Sequence, residues 1–323
     1  MTSVAIVVSY NRADLLKECL DGLAAQTTPL ERVIVIDNGS TDHAVEIARN
    51  HPVDADVHEL ADNLGGAGGF AAGVAWALDA YDPTWVWLMD DDTIPTPHAH
   101  EGLLNAAEEY PNQSNRPLQV LSSRAVWTDG RLHPMNTPRV RLGASSIERS
   151  DAIAVESHPI RTASFVAAFL SASACRELGL PLADYFIWGD DTHYTGSLLR
   201  NGVGIQVHTS IVEHRTAQFA SWKNDPGPRF YYDVRNKLWV YVKSDAFRWW
   251  ERTVYLASAV KGWVATVLRS SNRSALLRHA LRGLRDGLFT RPRPTSAVLS
   301  GNGAISAAVE RVESSAIGTR TSR

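Results

Sequence analysis

Three aspartates stand in a row at Asp90, Asp91 and Asp92, directly after the apolar run Trp85-Val86-Trp87-Leu88-Met89. Adjacent carboxylates repel one another and are costly to hold together unless a cation or donor groups compensate. Clustered oxygen ligands of this kind suit Mg²⁺ or Mn²⁺, which can in turn bridge a diphosphate. A solvated acidic turn is the plainer reading. Its place at the end of a buried run favours the metal.

A second acidic pair, Asp190-Asp191, follows Trp188-Gly189 and precedes a helical pattern. Either carboxylate can take a proton from a hydroxyl as a general base, or simply cap the helix. His214 can be a metal ligand or a hydrogen-bonded core histidine. The ordered set of triplet, pair and histidine shifts the balance towards chemistry. No Ser/His/Asp set or reactive cysteine supplies a covalent nucleophile, since Cys19 and Cys175 read as small buried residues in apolar helices. Trp188, Trp222 and Tyr185 offer rings for stacking against a ligand, and a core role is equally open to each.

The stretch Asn63-Leu64-Gly65-Gly66-Ala67-Gly68-Gly69-Phe70 invites a different reading. Gly66, Gly68 and Ala71 satisfy the dinucleotide fingerprint G-x-G-x-x-G/A, with acids about 20 positions on. An NAD-dependent dehydrogenase is therefore an alternative. Against it, the fingerprint belongs in the first βα turn, and here it lies in the third. Glycines here more simply let the backbone approach a nucleotide closely.

Elements that would position these residues alternate through the first half. Strands are expected at Val4–Ser9, Arg32–Ile36, Val57–Leu60 and Trp85–Met89, with helices at Ala13–Ala25, Asp42–Asn50 and through Ala80. That alternation implies an α/β, Rossmann-like fold with a mostly parallel sheet. Ligands bind such sheets outside the carboxyl ends of the strands. Ser9–Arg12, Asp37, Asn63–Gly69 and Asp90–Asp92 all fall there, so one pocket is implied. Residues 111–160, rich in Pro, Asn and Ser, read as loops and short antiparallel strands. Beyond them we expect a strand at Ser164–Leu170, a helix at Ala172–Leu178, a loop over Pro181–Trp188, a helix at Thr192–Arg200 and a short strand at Gly204–Val207.

Of the 323 residues, 44% are hydrophobic and 21% charged, enough for a real core. The charge is unevenly spread. Residues 1–228 hold 15 Lys/Arg against 29 Asp/Glu, a net of −14, whereas 229–293 hold 14 against 4, a net of +10. We read 1–228 as a catalytic domain in two halves, 1–125 and 126–228, 229–293 as a helical, basic, Trp-rich arm, and 294–323 as a mobile tail. In the arm, Leu277, Leu281, Leu284 and Leu288 form a helical stripe flanked by Arg278, Arg282 and Arg285. With Trp239, Trp249, Trp250, Trp263, Tyr241 and Tyr255 nearby, it reads as a helix lying on an anionic membrane surface, or as one packed on the catalytic domain. The apolar start reads as a strand rather than a signal peptide, and no window is long enough to span a bilayer. A peripheral protein on the cytoplasmic face of the membrane is expected.

The motifs S-Y-N-R, I-D-N-G-S-T, N-L-G-G-A-G-G-F, M-D-D-D and F-I-W-G-D-D followed by E-H resemble those of the family 2 inverting glycosyltransferases. The likeness covers roughly residues 3–240 and is closest to the bacterial cell-wall galactofuranosyltransferases that initiate galactan. It implies a GT-A-type fold, Mn²⁺ or Mg²⁺ as cofactor, UDP-galactofuranose as donor and a polyprenyl-diphosphate-linked rhamnosyl-N-acetylglucosamine as acceptor, with no nucleic acid. By resemblance, Ser9, Tyr10, Asn11, Arg12 and Asp37 surround the uridine, while Asn63, Gly65 and Gly66 line the nucleotide pocket. Asp90, Asp92 and His214 hold the metal, with Asp91 nearer the ribose or sugar. Asp191 is the general base and Asp190 a sugar-positioning partner; the glycine between Trp188 and Asp190 leaves the choice between the two open. A rhamnosyltransferase using a dTDP-rhamnose donor shares nearly every motif.

Overall fold

The first strand, Ser3–Ser9 (β1), is buried along its whole length, so its sheet must be covered on both faces. In the computed structural model, which describes residues 1–219 and 225–321, that is what the chain does. After β1 come α1 (Ala13–Ala24), β2 (Arg32–Asp37), α2 (Ala44–Asn50), β3 (Asp56–Glu59), α3 (Gly65–Ala80) and β4 (Trp85–Asp90). Then follow β5 (Thr93–Pro95), α4 (Ala99–Glu109), β6 (Leu118–Val126), β7 (Arg139–Val140), α5 (Ser146–Ala154), β8 (Ser157–Thr162), β9 (Ala168–Ser171) and α6 (Ala172–Leu178). Helix α7 (Asp190–Asn201) and β10 (Val203–His214) complete the sheet.

Strand order is β3-β2-β1-β4-β9-β6-β10-β8-β7, with β5 paired to the end of β10. β1, β2, β3 and β4 are mutually parallel, and β6 and β10 run the same way because β9 is antiparallel to both β4 and β6. Ser9, Asp37, Asp90 and His214 therefore end their strands at one edge of the sheet. The short strand β5 turns back from the triplet and pairs His214 with Thr93, which brings the histidine beside Asp92.

Alternate side chains of the strands feed two cores. Val4, Ile6, Val8, Ile34 and Ile36 meet α3 on one face, while Ala5, Val7, Val33 and Val35 meet α1 and α4 on the other. Helix α3 approaches its strands closely: a Cβ at Gly69 or Gly73 would stand 2.4 Å from Val8 or 2.3 Å from Ile6.

Three expectations are corrected. Residues 111–160 contain a nine-residue central strand, β6, and α5, whose Ser145 and Glu148 form a reciprocal capping box. The expected strand at Ser164–Leu170 opens as a 3₁₀ turn over Phe165–Ala167 before β9 begins. The tail is not mobile within the described residues. It forms α11 (Thr295–Val298) and α12 (Ala304–Thr321), and Leu299, Ile305, Ala308 and Val309 are buried in the core beside α3. Arg311 reinforces the contact with two bonds to Asp79, at 2.7 and 2.6 Å.

In the arm, α8 (Phe230–Leu238) runs into a π-helical turn at Trp239–Lys243, followed by α9 (Trp249–Arg269) and α10 (Arg273–Phe289). α10 packs on α8 through Leu276, Gly283 and Gly287, where added Cβ atoms would meet Tyr231, Val234 and Leu238 at under 3 Å. That line runs one position before the leucine stripe, so Leu277, Leu281 and Leu288 stay exposed. Trp239, Tyr241 and Trp263, grouped by sequence with the interfacial aromatics, are buried instead, and Trp263 Nε1 donates to Asp233 at 2.8 Å. No described helix is long and apolar enough to cross a membrane.

Candidate active site

Asp90, Asp92 and His214 each offer a ligand atom, and the three atoms lie within 4.8 Å of one another. The histidine is oriented from behind. Asn136 Nδ2 donates to Ser164 Oγ at 3.2 Å, which turns its carbonyl towards His214, and His214 Nδ1 donates to that Oδ1 at 2.7 Å. Nε2 is left as a bare lone pair, the form in which imidazole binds metals. It stands 3.1 Å from Asp92 Oδ1, a buried oxygen that receives no hydrogen bond. A lone pair facing an unpartnered carboxylate oxygen is an arrangement a divalent cation satisfies. Asp90, held well above the usual carboxylate range by burial and by Asp92 and Asp91, fits the same account. The donor set of two carboxylates and one imidazole suits Mn²⁺ or Mg²⁺.

Asp91 points the other way. Its oxygens accept from Ser9 Oγ and Tyr10 N, both at 3.1 Å, and from Arg12 Nη1 at 3.2 Å. Burial pushes its carboxyl up to about 6 in spite of that guanidinium. Arg12 also reaches Asp92 Oδ2 at 2.6 Å, supplying part of the positive charge the triplet needs.

The rest of this rim is cross-linked. Asn11 N donates to Ser40 Oγ at 2.9 Å, and Thr41 N donates to Asn11 Oδ1 at 2.7 Å. Asp37 is buried, with Oδ2 accepting from Ser40 N at 2.8 Å and Oδ1 left without a partner. Asn63 Oδ1 caps Gly65 N at 2.8 Å. Gly65 itself, with φ at +70°, packs so closely on the loop before α7 that a Cβ would stand 2.0 Å from the Phe186 carbonyl oxygen. At Gly66 the nearest atom to such a Cβ is in the Phe70 ring at 3.8 Å, an ordinary contact.

The loop before α7 is tightly wound. Phe186, Trp188 and Gly189 take φ values of 64°, 63° and 92°, costly for the two aromatic residues. What holds it is α8. Asn236 Nδ2 donates to the carbonyls of Tyr185, Ile187 and Trp188 at 3.0, 2.8 and 2.7 Å, and Arg235 Nη2 to those of Asp184 and Tyr185 at 2.8 and 3.1 Å. The loop delivers Asp190 and Asp191 into the first turn of α7. Burial and the charge of Asp191 push Asp190 up to about 8. Burial also raises Asp191, against hydrogen bonds from Thr192 and Ser164 and the charge of Arg139.

Asp191 opens on a cavity of about 200 Å³ that Trp188, Arg139, Asp233, Lys237 and Tyr241 help to line. Trp188 thus sits where an acceptor could meet it. Tyr185 does not: it is fully buried, stacked on His193 and edge-on to Trp239. The reason is physical, since its ring fills the space beneath the loop. Trp222 lies outside the described residues.

Sequence reasoning missed Asn136, Ser164, Arg235, Asn236 and Arg139. Asn136 sits in an irregular stretch with no periodic signal. Asn236 falls off the Phe230, Val234, Leu238 stripe, where the pattern alone reads as solvent-facing, yet it is 1% exposed.

The chain is 32% identical over 258 residues to the galactofuranosyltransferase GlfT1 of Mycobacterium tuberculosis (strain H37Rv), spanning 73% of this chain and 81% of that one. It is 27% identical to GlfT1 of Mycolicibacterium smegmatis, over 68% and 80% of the two chains. Among solved structures, S. aureus TarS 1–349 in complex with UDP-GlcNAc superposes with a TM-score of 0.58 at 15% identity, over 100% of this chain and 93% of that one. A mannosyltransferase from Pyrobaculum calidifontis, solved with GDP-Man and Mn²⁺, gives 0.54 at 16% identity, over 98% and 86%. These likenesses show a GT-A-type fold. Residues 4–179 match the glycosyl transferase family 2 profile. Match and identity together show that this glycosyltransferase belongs to glycosyl transferase family 2.

Proposed function

We propose that the protein transfers galactofuranose from UDP-galactofuranose to a polyprenyl-diphosphate-linked rhamnosyl-N-acetylglucosamine, with inversion at the anomeric carbon. The observation that carries this reading is the pairing of the Asp90, Asp92, His214 ligand set with 32% identity to galactofuranosyltransferases across most of the chain.

Each residue set has a task. Ser9, Tyr10, Asn11, Arg12 and Asp37 receive the uridine, the free Asp37 Oδ1 being a ready acceptor for a base N–H. Asn63, Gly65 and Gly66 border the diphosphate, Gly65 by shaping the backbone there, and Asp91 keeps the Ser9–Arg12 segment in place beside the ribose. Asp90, Asp92 and His214 would hold Mn²⁺ or Mg²⁺, whose charge offsets that developing on departing UDP. Asp191, which lines the open cavity, takes the proton from the acceptor hydroxyl as that oxygen attacks the anomeric carbon from the opposite face. Asp190, protonated up to about pH 8, donates a hydrogen bond to the sugar and adds no second negative charge. Trp188 supplies a ring for the acceptor.

The exposed leucines of α10, with Phe289 83% exposed and Arg278, Arg282 and Arg285 alongside, hold the enzyme on an anionic membrane surface at the cytoplasmic face, where a lipid-linked acceptor resides.

A donor panel tests the reading. UDP-galactofuranose, UDP-galactopyranose and dTDP-rhamnose are offered with Mn²⁺ and a rhamnosyl-N-acetylglucosaminyl acceptor, and product linkage is analysed. Transfer from UDP-galactofuranose alone is expected; transfer from dTDP-rhamnose makes the enzyme a rhamnosyltransferase.

A further inference from the structure

The cavity that holds Asp191 has an unusual neighbour. Arg139, on β7, helps to line it and donates from Nη2 to Tyr241 Oη at 3.4 Å, with its guanidinium 4.6 Å from the centre of the Tyr255 ring. Arg139 is exposed and forms no ion pair among the described residues. A guanidinium with no carboxylate partner in the cavity of a base is costly for catalysis, because it opposes the rise in the Asp191 pKa that burial produces. An anion arriving with the substrate would remove that cost.

Tyr241 also lines a second hollow, a shallow groove along α9. Its walls are Trp249, Leu256, Ala257 and Val260, and Arg252 and Lys261 stand among them. Trp249 is 79% exposed and Val260 45%, so this apolar strip is not core. Lys261, like Arg139, has no ion-pair partner among the described residues. The groove is thus apolar in its walls and cationic at its edge, and it shares Tyr241 as a wall with the cavity of the candidate base.

We infer that Arg139 and the α9 groove form one acceptor subsite for an anionic, lipid-linked saccharide. The guanidinium takes the phosphate next to the sugar, and the groove takes the hydrocarbon chain. The inference rests on the transfer reading above and deepens it by naming where the carrier binds.

Binding of farnesyl phosphate, below its aggregation concentration, tests this on the full chain without donor or transfer. Calorimetry is run beside farnesol, which lacks the anion, and inorganic phosphate, which lacks the chain. Farnesyl phosphate should bind at least ten-fold more tightly than either. Arg139→Gln and Val260→Asp should each weaken it at least ten-fold, with thermal melting used to check the fold, and Ala257→Asp, also at an exposed position, should do the same. The inference is overturned if farnesyl phosphate does not bind, if phosphate binds as well, or if the variants stay within two-fold of the parent. It is also overturned if Val260→Asp abolishes liposome binding yet leaves farnesyl phosphate binding intact, since the groove is then a membrane face. Failure of the galactofuranosyl reading would appear separately, as absence of transfer in the donor panel with this binding preserved.

Discussion

Asn136 holds His214 by its side-chain carbonyl and Ser164 by its side-chain amide, at 2.7 and 3.2 Å, and the Ser164 hydroxyl in turn is among the groups that favour the ionised form of Asp191. One amide thus joins the candidate metal ligand to the candidate base. Asn136→Ala should weaken Mn²⁺ binding by about 10–100-fold, the usual loss when a histidine ligand loses its orienting partner. Calorimetric Mn²⁺ titration in the presence of UDP measures it. Unchanged affinity would remove Asn136 from the site.

Asp191→Asn should lower kcat by about 10²–10⁴-fold while the affinity for UDP changes little, because a base acts in the transition state. If Asp190→Asn is the inactive variant and Asp191→Asn turns over normally, the two roles are reversed.

The pH profile follows from the same residue. Burial raises the Asp191 pKa, and the base works only when ionised, so activity is lost as pH falls through that raised value. The acid limb of kcat should therefore lie above the range of an ordinary carboxylate. A limb near pH 4 would contradict the assignment.

Asp190 makes a prediction about stability. Its folded-state pKa of about 8 exceeds that of the unfolded chain, so the fold binds this proton more tightly. The fold bears no cost from this group below the unfolded pKa. The cost grows as pH rises from there to about 8, then levels off. Asp190→Asn should raise Tm by several degrees at pH 8 and by less at pH 5. Equal shifts at both values would argue against a buried, protonated carboxyl.

Gly65→Ala should destabilise the protein by about 2 kcal/mol or more, since alanine disfavours positive φ and its Cβ would collide with the Phe186 carbonyl. The same change should lower kcat by displacing the loop that carries Asp191. A variant with unchanged melting and turnover would show that the loop does not depend on this contact.

Much of this was legible in the residues. The strands of the donor half read directly because their β-branched runs are bounded by turn residues, and the triplet, the acidic pair and His214 were found as a set. What escaped was whatever depends on packing at long range. Helix α3, GGAGGFAAGVAWALDA, has no polar face before Asp79, and that alone required a second cover besides the sheet. The cover is α12, whose small residues gave the tail the composition of a mobile segment. Tyr185 failed as a sugar platform for the opposite reason: an aromatic beside a catalytic loop serves its support as readily as its ligand. Asn136 and Asn236 had no signal at all, because a buried amide is recognised only by the carbonyls and rings it meets.

The grip of Asn236 on the loop also has a consequence for how the enzyme is made. Residues 185–188 are drawn into their strained shape by a side chain about fifty positions farther along. On a ribosome, β1 to β4 can pair well before position 236 emerges from the exit tunnel, while α3 waits longer still for its second cover, α12. The base cannot be aimed until position 236 has emerged. A chain terminated before position 236 would therefore lack the contacts that wind this loop, and the geometry that presents Asp191 would arrive late in synthesis.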